Sequence, residues 1–206
     1  MTPTKRAFDV ILAICGAVLF AVPAAFLVIL LFVCQGRPIF HLAERMKTPD
    51  QAFWLWKFRT MHVAVADGGV SGGDKTLRIT RIGKALRRSR LDELPQLWNI
   101  LQGDMTFVGP RPPLRAYVNR RPDLYRRVLK NRPGITGLAT LVLHQREERL
   151  LAACKTALET DAVYLRRCVP IKARLDLIYQ RKRTFLLDLA VLSGTVLRIV
   201  KKGSAG

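Results

Sequence analysis

The chain has 206 residues, half of them hydrophobic and 24% charged, with a formal net charge of +20. Length and composition exclude a disordered or collagen-like chain and suit one domain able to bury a core. So basic a balance calls for an anionic partner: nucleic acid, lipid headgroups or phosphorylated substrates. Cys15, Cys34, Cys154 and Cys168 form no Cys-x-x-Cys pair and no Cys/His metal spacing. They read as free thiols in a reducing cytoplasm.

The first element is apolar. Val10 to Val33 carries no charge. As one straight helix it would be about 36 Å long, enough for a hydrocarbon core of about 30 Å. It is too long for the apolar region of a signal peptide, and no small-residue cleavage site follows. Pro23 lies near its middle, where a proline removes a backbone donor and kinks a helix. The two pieces would be roughly 20 and 15 Å long, each close to one leaflet. Lys5 and Arg6 flank one end, and Arg37, Arg45 and Lys47 the other. Cations mark the cytoplasmic side, so cations at both ends suit a re-entrant helix. Prolines also occur in spanning helices, and these residues alone leave both topologies open.

Beyond Gly36-Arg37-Pro38 the pattern predicts short strands over Ile39 to Leu42 and Ala52 to Arg59. Asp67 to Asp74 is a glycine-rich loop without the phosphate-binding Gly-Lys-Ser/Thr signature. A basic helix is predicted over Thr80 to Arg90, and a second with Leu91, Leu94, Trp98 and Leu101 on one face. Gly109 to Pro113 is a rigid turn. A helix follows over Leu114 to Lys130, interrupted near Pro122, and Arg132 to Gly137 is a loop. Two more helices are predicted, roughly Glu147 to Arg167 and Leu175 to Val200. The end of the last reads as an amphipathic helix against membrane or core, because Asp188 and Arg198 interrupt its apolar run. The fold class is therefore α/β, mostly helical. The pattern predicts an N-terminal membrane anchor over residues 1–36, with Pro23 inside it, and a single folded domain with amphipathic interfacial helices over 37–206.

Asp92-Glu93 is the adjacent acid pair in a basic neighbourhood that includes Arg87, Arg88 and Arg90. Nearby cations keep a carboxylate ionised, and an ionised carboxylate can act as nucleophile, base or metal ligand. On bare residues helix capping explains the pair better, since Ser89-x-x-Asp92 has capping-box spacing. Lys57 and Arg59 alternate with aromatics on a predicted strand and share a face. Arg78 and Arg81 share a face if their backbone is helical. Arg111 is held between Pro110 and Pro112. Such cations suit phosphate, arginine as a fork and lysine as a point charge.

Seven motifs occur in order: Lys5-Arg6-x-Phe8-Asp9, Lys57-Phe58-Arg59-Thr60-Met61, Arg78 to Gly83, Leu91-Asp92-Glu93-Leu94-Pro95-Gln96-Leu97-Trp98-Asn99, Gly103-Asp104-Met105, Val108 to Pro112 and Arg132 to Gly137. Together they make the chain resemble the bacterial sugar transferase family, the monotopic phosphoglycosyl transferases. The likeness runs from Lys5 to about Gly137 and resumes more weakly over Lys172 to Tyr179 and Leu187 to Leu189. It implies that Asp92 is the nucleophile that takes a phospho-sugar from a UDP-sugar, releasing UMP, and passes it to a polyprenol phosphate such as undecaprenyl phosphate. It implies Mg²⁺ near Asp92 and Glu93, substrate binding by Lys57 and by the Pro110-Arg111-Pro112 turn, and a re-entrant anchor broken at Pro23. Localisation would be the bacterial inner membrane, with the catalytic domain on the cytoplasmic face and anionic phospholipid as a further partner. Assembly into a homo-oligomer is left open.

The chain departs from the family's pattern in three places, one of them the segment Ala153 to Ile171, which is longer than in the family's short members. Val22-Pro23 stands where Ser-Pro is common, and Leu138 to His144 replaces a stretch that ends in a phosphate-binding arginine. His144 aligns with that arginine and Arg146 follows two residues on, so both are candidates. Two rival classes remain. A nucleic-acid reader needs a recognisable module or exposed aromatics interleaved with cations, and no nucleic-acid partner is expected. A basic tether without catalysis would have no use for an acid pair set among arginines.

Overall fold

The computed structural model describes residues 1–63 and 77–204, so the glycine-rich loop Asp67 to Asp74 lies outside the described residues. The apolar stretch folds as two helices, α1 (Pro3–Leu19) and α2 (Ala21–Gln35), bent by 60° where they meet. The break falls where Pro23 requires it, because a proline ring conflicts with the carbonyl four residues back, here that of Leu19. The helical ladder resumes at once, with the Ala24 amide on the Phe20 carbonyl at 2.8 Å. Among the described residues no single helix is long and apolar enough to cross a membrane, although the bent pair together meets that test.

Each of these helices docks through one narrow stripe: Lys5, Asp9 and Ala13 on α1, Leu27 and Leu31 on α2. The spacing of four keeps each stripe on one face. The polar members of the first stripe are tethers. Lys5 Nζ donates to Asp188 Oδ2 at 2.6 Å. Asp9 accepts from Thr106 Oγ1 at 2.6 Å and from the Phe107 amide at 3.3 Å. Arg6 donates to the carbonyls of Ile100 and Leu101 at 2.6 and 2.8 Å. Lys5 and Arg6, read from sequence as cations flanking a membrane segment, are thus used inside the protein. Ile11, Ile14, Val18, Leu19, Val22, Phe26, Ile29 and Val33 point outward and are more than half exposed.

Strands β1 (Phe40–Met46) and β2 (Ala52–Phe58) form an antiparallel hairpin pairing Phe40 with Phe58 and Met46 with Ala52. Both predicted strands are present, the first longer than expected. On β2 Phe53 and Leu55 face the core, and the strand's period of two aims Lys57 to the same side. Helix α3 (Arg81–Ser89) is capped by Thr80, whose Oγ1 accepts from the Gly83 amide at 2.9 Å. A tight 3-10 turn, Leu91–Glu93, follows, and Pro95 leads into α4 (Gln96–Gln102). The single face expected for Leu91, Leu94, Trp98 and Leu101 is therefore not formed. Trp98 is 53% exposed, and Leu97 packs on the core instead. Asn99 joins α4 to β2: its amide nitrogen donates to the Trp54 carbonyl at 2.8 Å, and its Oδ1 accepts from the Trp56 amide at 3.1 Å.

Strands β3 (Thr106–Val108) and β4 (Gly134–Thr136) pair in parallel, linked by α5 (Arg115–Arg120) and α6 (Pro122–Val128). The interruption at Pro122 is as predicted. Helix α7 (Leu138–Ala152) begins nine residues before the expected Glu147. It ends before α8 (Ala157–Val163), a π turn at Tyr164–Cys168 and α9 (Val169–Lys182). Helix α10 (Phe185–Ser204) closes the chain, inverted in the manner of an interfacial helix. Asp188 and Val191 are buried, while Leu186, Leu189, Val196, Leu197 and Val200 are exposed. The whole is a mostly helical α/β domain, and α1 belongs to its core, where Ala13 packs with Phe53, Leu55, Ile100 and Met105.

Candidate active site

The acid pair sits in the 3-10 turn, and what aims it is the residue before. Arg90 ends α3 in the left-handed conformation, with φ 60°, strained for any side chain but glycine. That reversal turns Asp92 and Glu93 inward, leaving them 7% and 6% exposed. The capping box is not formed: Ser89 Oγ donates back to the carbonyls of Ala85 and Leu86, at 3.0 and 3.1 Å.

The two carboxylates have unlike surroundings. Glu93 Oε1 accepts from Lys57 Nζ at 2.9 Å, from Arg90 Nη1 at 3.2 Å and from Arg111 Nη2 at 3.2 Å. Burial works against its charge, but Lys57, Arg111 and Arg90 outweigh burial and hold Glu93 well below the usual carboxylate range. Asp92 Oδ1 is fully enclosed and has no hydrogen-bond partner. Burial pushes its carboxyl above the usual range and Glu93 adds to the effect, against the pull of Lys57, Arg87 and Arg90. Burial also draws the Lys57 ammonium below its usual range despite both acids. The site thus holds one carboxylate fixed in charge and place, and one that is uncommitted.

Arg111 reaches Glu93 from the turn at residues 109–114, and backbone bonds brace that turn. The Gly109 amide donates to the Thr136 carbonyl and the Gly134 amide to the Pro110 carbonyl, each at 2.9 Å. Two chain segments cross here at backbone distance. A Cβ on Gly134 would lie 2.2 Å from the Gly109 nitrogen, and one on Gly137 would lie 2.1 Å from the Gly109 carbonyl oxygen. Only glycine permits this approach.

Of the residues expected from sequence, Lys57, Asp92, Glu93 and Arg111 are brought together, with Pro110 and Pro112 in the turn that carries Arg111. Others lie elsewhere. Arg59 donates to the carbonyls of Gln35, Gly36 and Arg37, closing the C-terminus of α2. Arg78 donates to the His62 carbonyl at 3.3 Å, and because α3 starts at Arg81 the two arginines share no helix face. Arg81 lines a separate cleft with Arg59, Gln35 and His62. His144 lines a basic cleft with Arg87, Arg88 and Arg90, its Nε2 3.5 Å from Glu148. Arg146, on the same helix, is exposed and lines neither cleft.

The sequence placed Arg90 among the cations around the acid pair, and the structure makes it a direct partner of Glu93 at i, i+3 spacing. Sequence reasoning missed a buried group on α7 and α9. There Lys172 Nζ donates to both Glu147 oxygens, at 3.1 and 2.9 Å, and to Tyr164 Oη at 3.3 Å. Glu147 and Lys172 are 25 residues apart, and no periodicity links them.

The family model described as bacterial sugar transferase matches residues 1–202. The UDP-N-acetylgalactosamine-undecaprenyl-phosphate N-acetylgalactosaminephosphotransferase of Aeromonas hydrophila is 34% identical over 144 residues, covering 67% of this chain and 34% of the relative. The exopolysaccharide production protein PSS of Rhizobium leguminosarum bv. phaseoli is 33% identical over 97% of this chain and 96% of its own length. The UDP-glucose:undecaprenyl-phosphate glucose-1-phosphate transferase of Escherichia coli (strain K12) is 32% identical over 79% of this chain and 36% of its own. The chain thus spans about a third of the two relatives named for a reaction and nearly all of the third. With the match running from end to end of the fold just described, this chain belongs to the bacterial sugar transferase family.

Proposed function

We propose that this sugar transferase moves a sugar 1-phosphate from a UDP-sugar to undecaprenyl phosphate, releasing UMP, as the first membrane step of glycoconjugate assembly. The observation that carries the reading is the division of labour in the dyad. Glu93 is held by three cations, while Asp92 keeps a buried oxygen with no partner. A nucleophile needs such an uncommitted oxygen. In the first displacement a carboxylate oxygen of Asp92 attacks the β-phosphorus. The bond from that phosphorus to the bridging oxygen breaks, and UMP leaves with the electron pair. In the second, an oxygen of the acceptor phosphate attacks the same phosphorus and Asp92 departs as carboxylate. Lys57 and Arg111 supply positive charge where the diphosphate must sit.

Mg²⁺ fits this donor set. Among the described residues no group of three or more His, Cys, Asp or Glu side chains could hold a metal by itself. Magnesium is commonly held by one or two carboxylates plus substrate phosphates. Asp92 and Glu93 would hold it, and it would neutralise charge on the diphosphate.

The anchor reads as re-entrant, at the cytoplasmic face of the inner membrane. Both ends of the bent pair are fastened to one body, α1 by Lys5, Arg6 and Asp9 and the end of α2 by Arg59. Arms of 17 and 15 residues bent by 60° make a V about 12 Å deep. That is well short of a core of about 30 Å.

The full chain in detergent, given undecaprenyl phosphate and a panel of UDP-sugars, should release UMP from at least one of them. EDTA should stop the release. Donor labelled in the β-phosphate should leave label on the protein when acceptor is withheld, and Asp92→Asn should carry none. A panel without UMP release, or label retained by Asp92→Asn, rejects the reading.

A further inference from the structure

A basic cleft runs beside the dyad between α3, the start of α7 and α10. Arg87, Arg88, Arg90, His144, Thr195 and Arg198 line it, and among the described residues no carboxylate does. Its charge is partly shared, since Arg90 also donates to Glu93 and His144 faces Glu148. The first turn of α7 contributes Thr140, and this helix has no side-chain cap at its N-terminus. The positive end of this helix's dipole adds to the potential that the arginines create. Arg90 belongs to both cleft and dyad, so whatever anion enters the cleft lies next to Asp92.

Helix α10 relates the cleft to a lipid surface. Thr195, Arg198 and Ile199 line the cleft. Leu186, Leu189, Val196, Leu197 and Val200 occupy the opposite side and are exposed. The cleft therefore lies one helix diameter, about 10 Å, beneath an apolar surface. A water-soluble nucleotide has no need of that nearness; an amphiphile with an anionic head does. A phosphomonoester carries close to two charges at neutral pH, with a second pKa near 6, whereas a phospholipid diester carries one. The concentration of arginine favours the monoester.

We propose that this cleft seats the phosphate of the acceptor, a long-chain phosphomonoester, with Arg198 of α10 as a binding residue. This rests on the transferase reading above and adds a place to it. The acceptor oxygen that attacks the phosphorus on Asp92 would come from a phosphate held here.

The test uses the full chain in detergent with undecaprenyl phosphate and the UDP-sugar it accepts. In a two-displacement scheme kcat/KM for the donor is fixed before the acceptor arrives, so the two constants separate the sites. Arg198→Ala should lower kcat/KM for the acceptor roughly tenfold or more, the scale of a lost charge-assisted hydrogen bond. The donor constant should stay as it was, and Arg198→Lys should recover part of the loss. An equal fall in the donor constant would overturn the proposal. So would an unchanged acceptor constant accompanied by weaker flotation with phosphatidylglycerol vesicles, which would assign the cleft to ordinary headgroups. Absence of any transfer by the unsubstituted chain would instead sink the transferase reading itself.

Discussion

Adjacent residues in the dyad have opposite consequences for the fold. The environment of Asp92 disfavours its charge, because burial raises its pKa and its Oδ1 has no partner among the described residues. A group whose folded pKa is raised above the unfolded value weakens the fold when it is charged at neutral pH. Glu93 is the reverse: its three cations depress its pKa, so it stabilises above the ordinary carboxylate pKa and loses that as pH falls through its own lowered value. Asp92→Asn should therefore raise the thermal midpoint at neutral pH, by the equivalent of about 1 kcal/mol, while abolishing transfer. Glu93→Gln, which strands three cations, should lower it by the equivalent of roughly 3 kcal/mol. Differential scanning fluorimetry in one detergent checks both, and a drop for Asp92→Asn would contradict the account. The same logic sets a pH profile. The acid limb of donor kcat/KM should lie above pH about 4, the ordinary aspartate value. Lys57 favours the Asp92 charge, so Lys57→Met should carry that limb upward; a downward move would mean that another group titrates.

At the scale of elements the site depends on one crossing of chains. The β3–β4 pair is three residues long on each side, yet it clamps the turn carrying Arg111. Gly134→Ala would force a Cβ to within 2.2 Å of the Gly109 nitrogen, so the crossing must open. The expected cost is about 2 kcal/mol or more in stability. If Arg111 serves the donor as proposed, donor KM should rise more than acceptor KM; equal rises would detach the turn from the nucleotide. Little of this crossing was legible in sequence, since three-residue strands carry no period and their partner lies beyond two helices. The two strands of the hairpin were legible as short aromatic-rich runs, and α3 as a basic helix. Helix α7 was predicted to start late because Gly137 gives it no capping side chain. The break before α8 was legible but unread. Thr156 Oγ1 accepts from the Glu159 amide at 3.1 Å, and Glu159 accepts from the Lys155 amide at 2.8 Å, a capping motif at its usual spacing. Within the site, the cations at Lys57 and Arg111 followed from motif order. The roles of Arg90 and Arg59 did not, because a left-handed residue and a helix-end clamp depend on the fold around them.

For the whole molecule the proposed membrane anchor rests on α1 and α2, and the tethers carry its predictions. Apolar residues cover the outer sides of α1, α2 and α10, so 1 M salt, which shortens the Debye length to about 3 Å, should leave the chain membrane-bound and detergent should release it. Recovery in the salt wash would mean that the net charge of +20, and not apolar burial, holds it there. The proposed topology rests on the docked stripe on α1. To place the N-terminus across the bilayer, the buried Lys5–Asp188 pair and the Asp9 bonds to Thr106 and Phe107 must all be broken. A buried charge stripped of its partner costs roughly 3–5 kcal/mol. In a background with the four native cysteines replaced by alanine, Thr4→Cys and Asp50→Cys should both resist a membrane-impermeant thiol reagent on intact cells and react once the cells are opened. Reaction of Thr4→Cys alone from outside would establish a spanning helix. Adding Pro23→Leu tests which feature governs. It removes the ring that conflicts with the Leu19 carbonyl, and the straightened helix would be long enough to span. If the proline alone sets the topology, Thr4→Cys should then become reactive from outside. If the tethers set it, Thr4→Cys should stay protected until Lys5→Leu and Asp9→Asn are added, and this second outcome is the one the docked stripe requires.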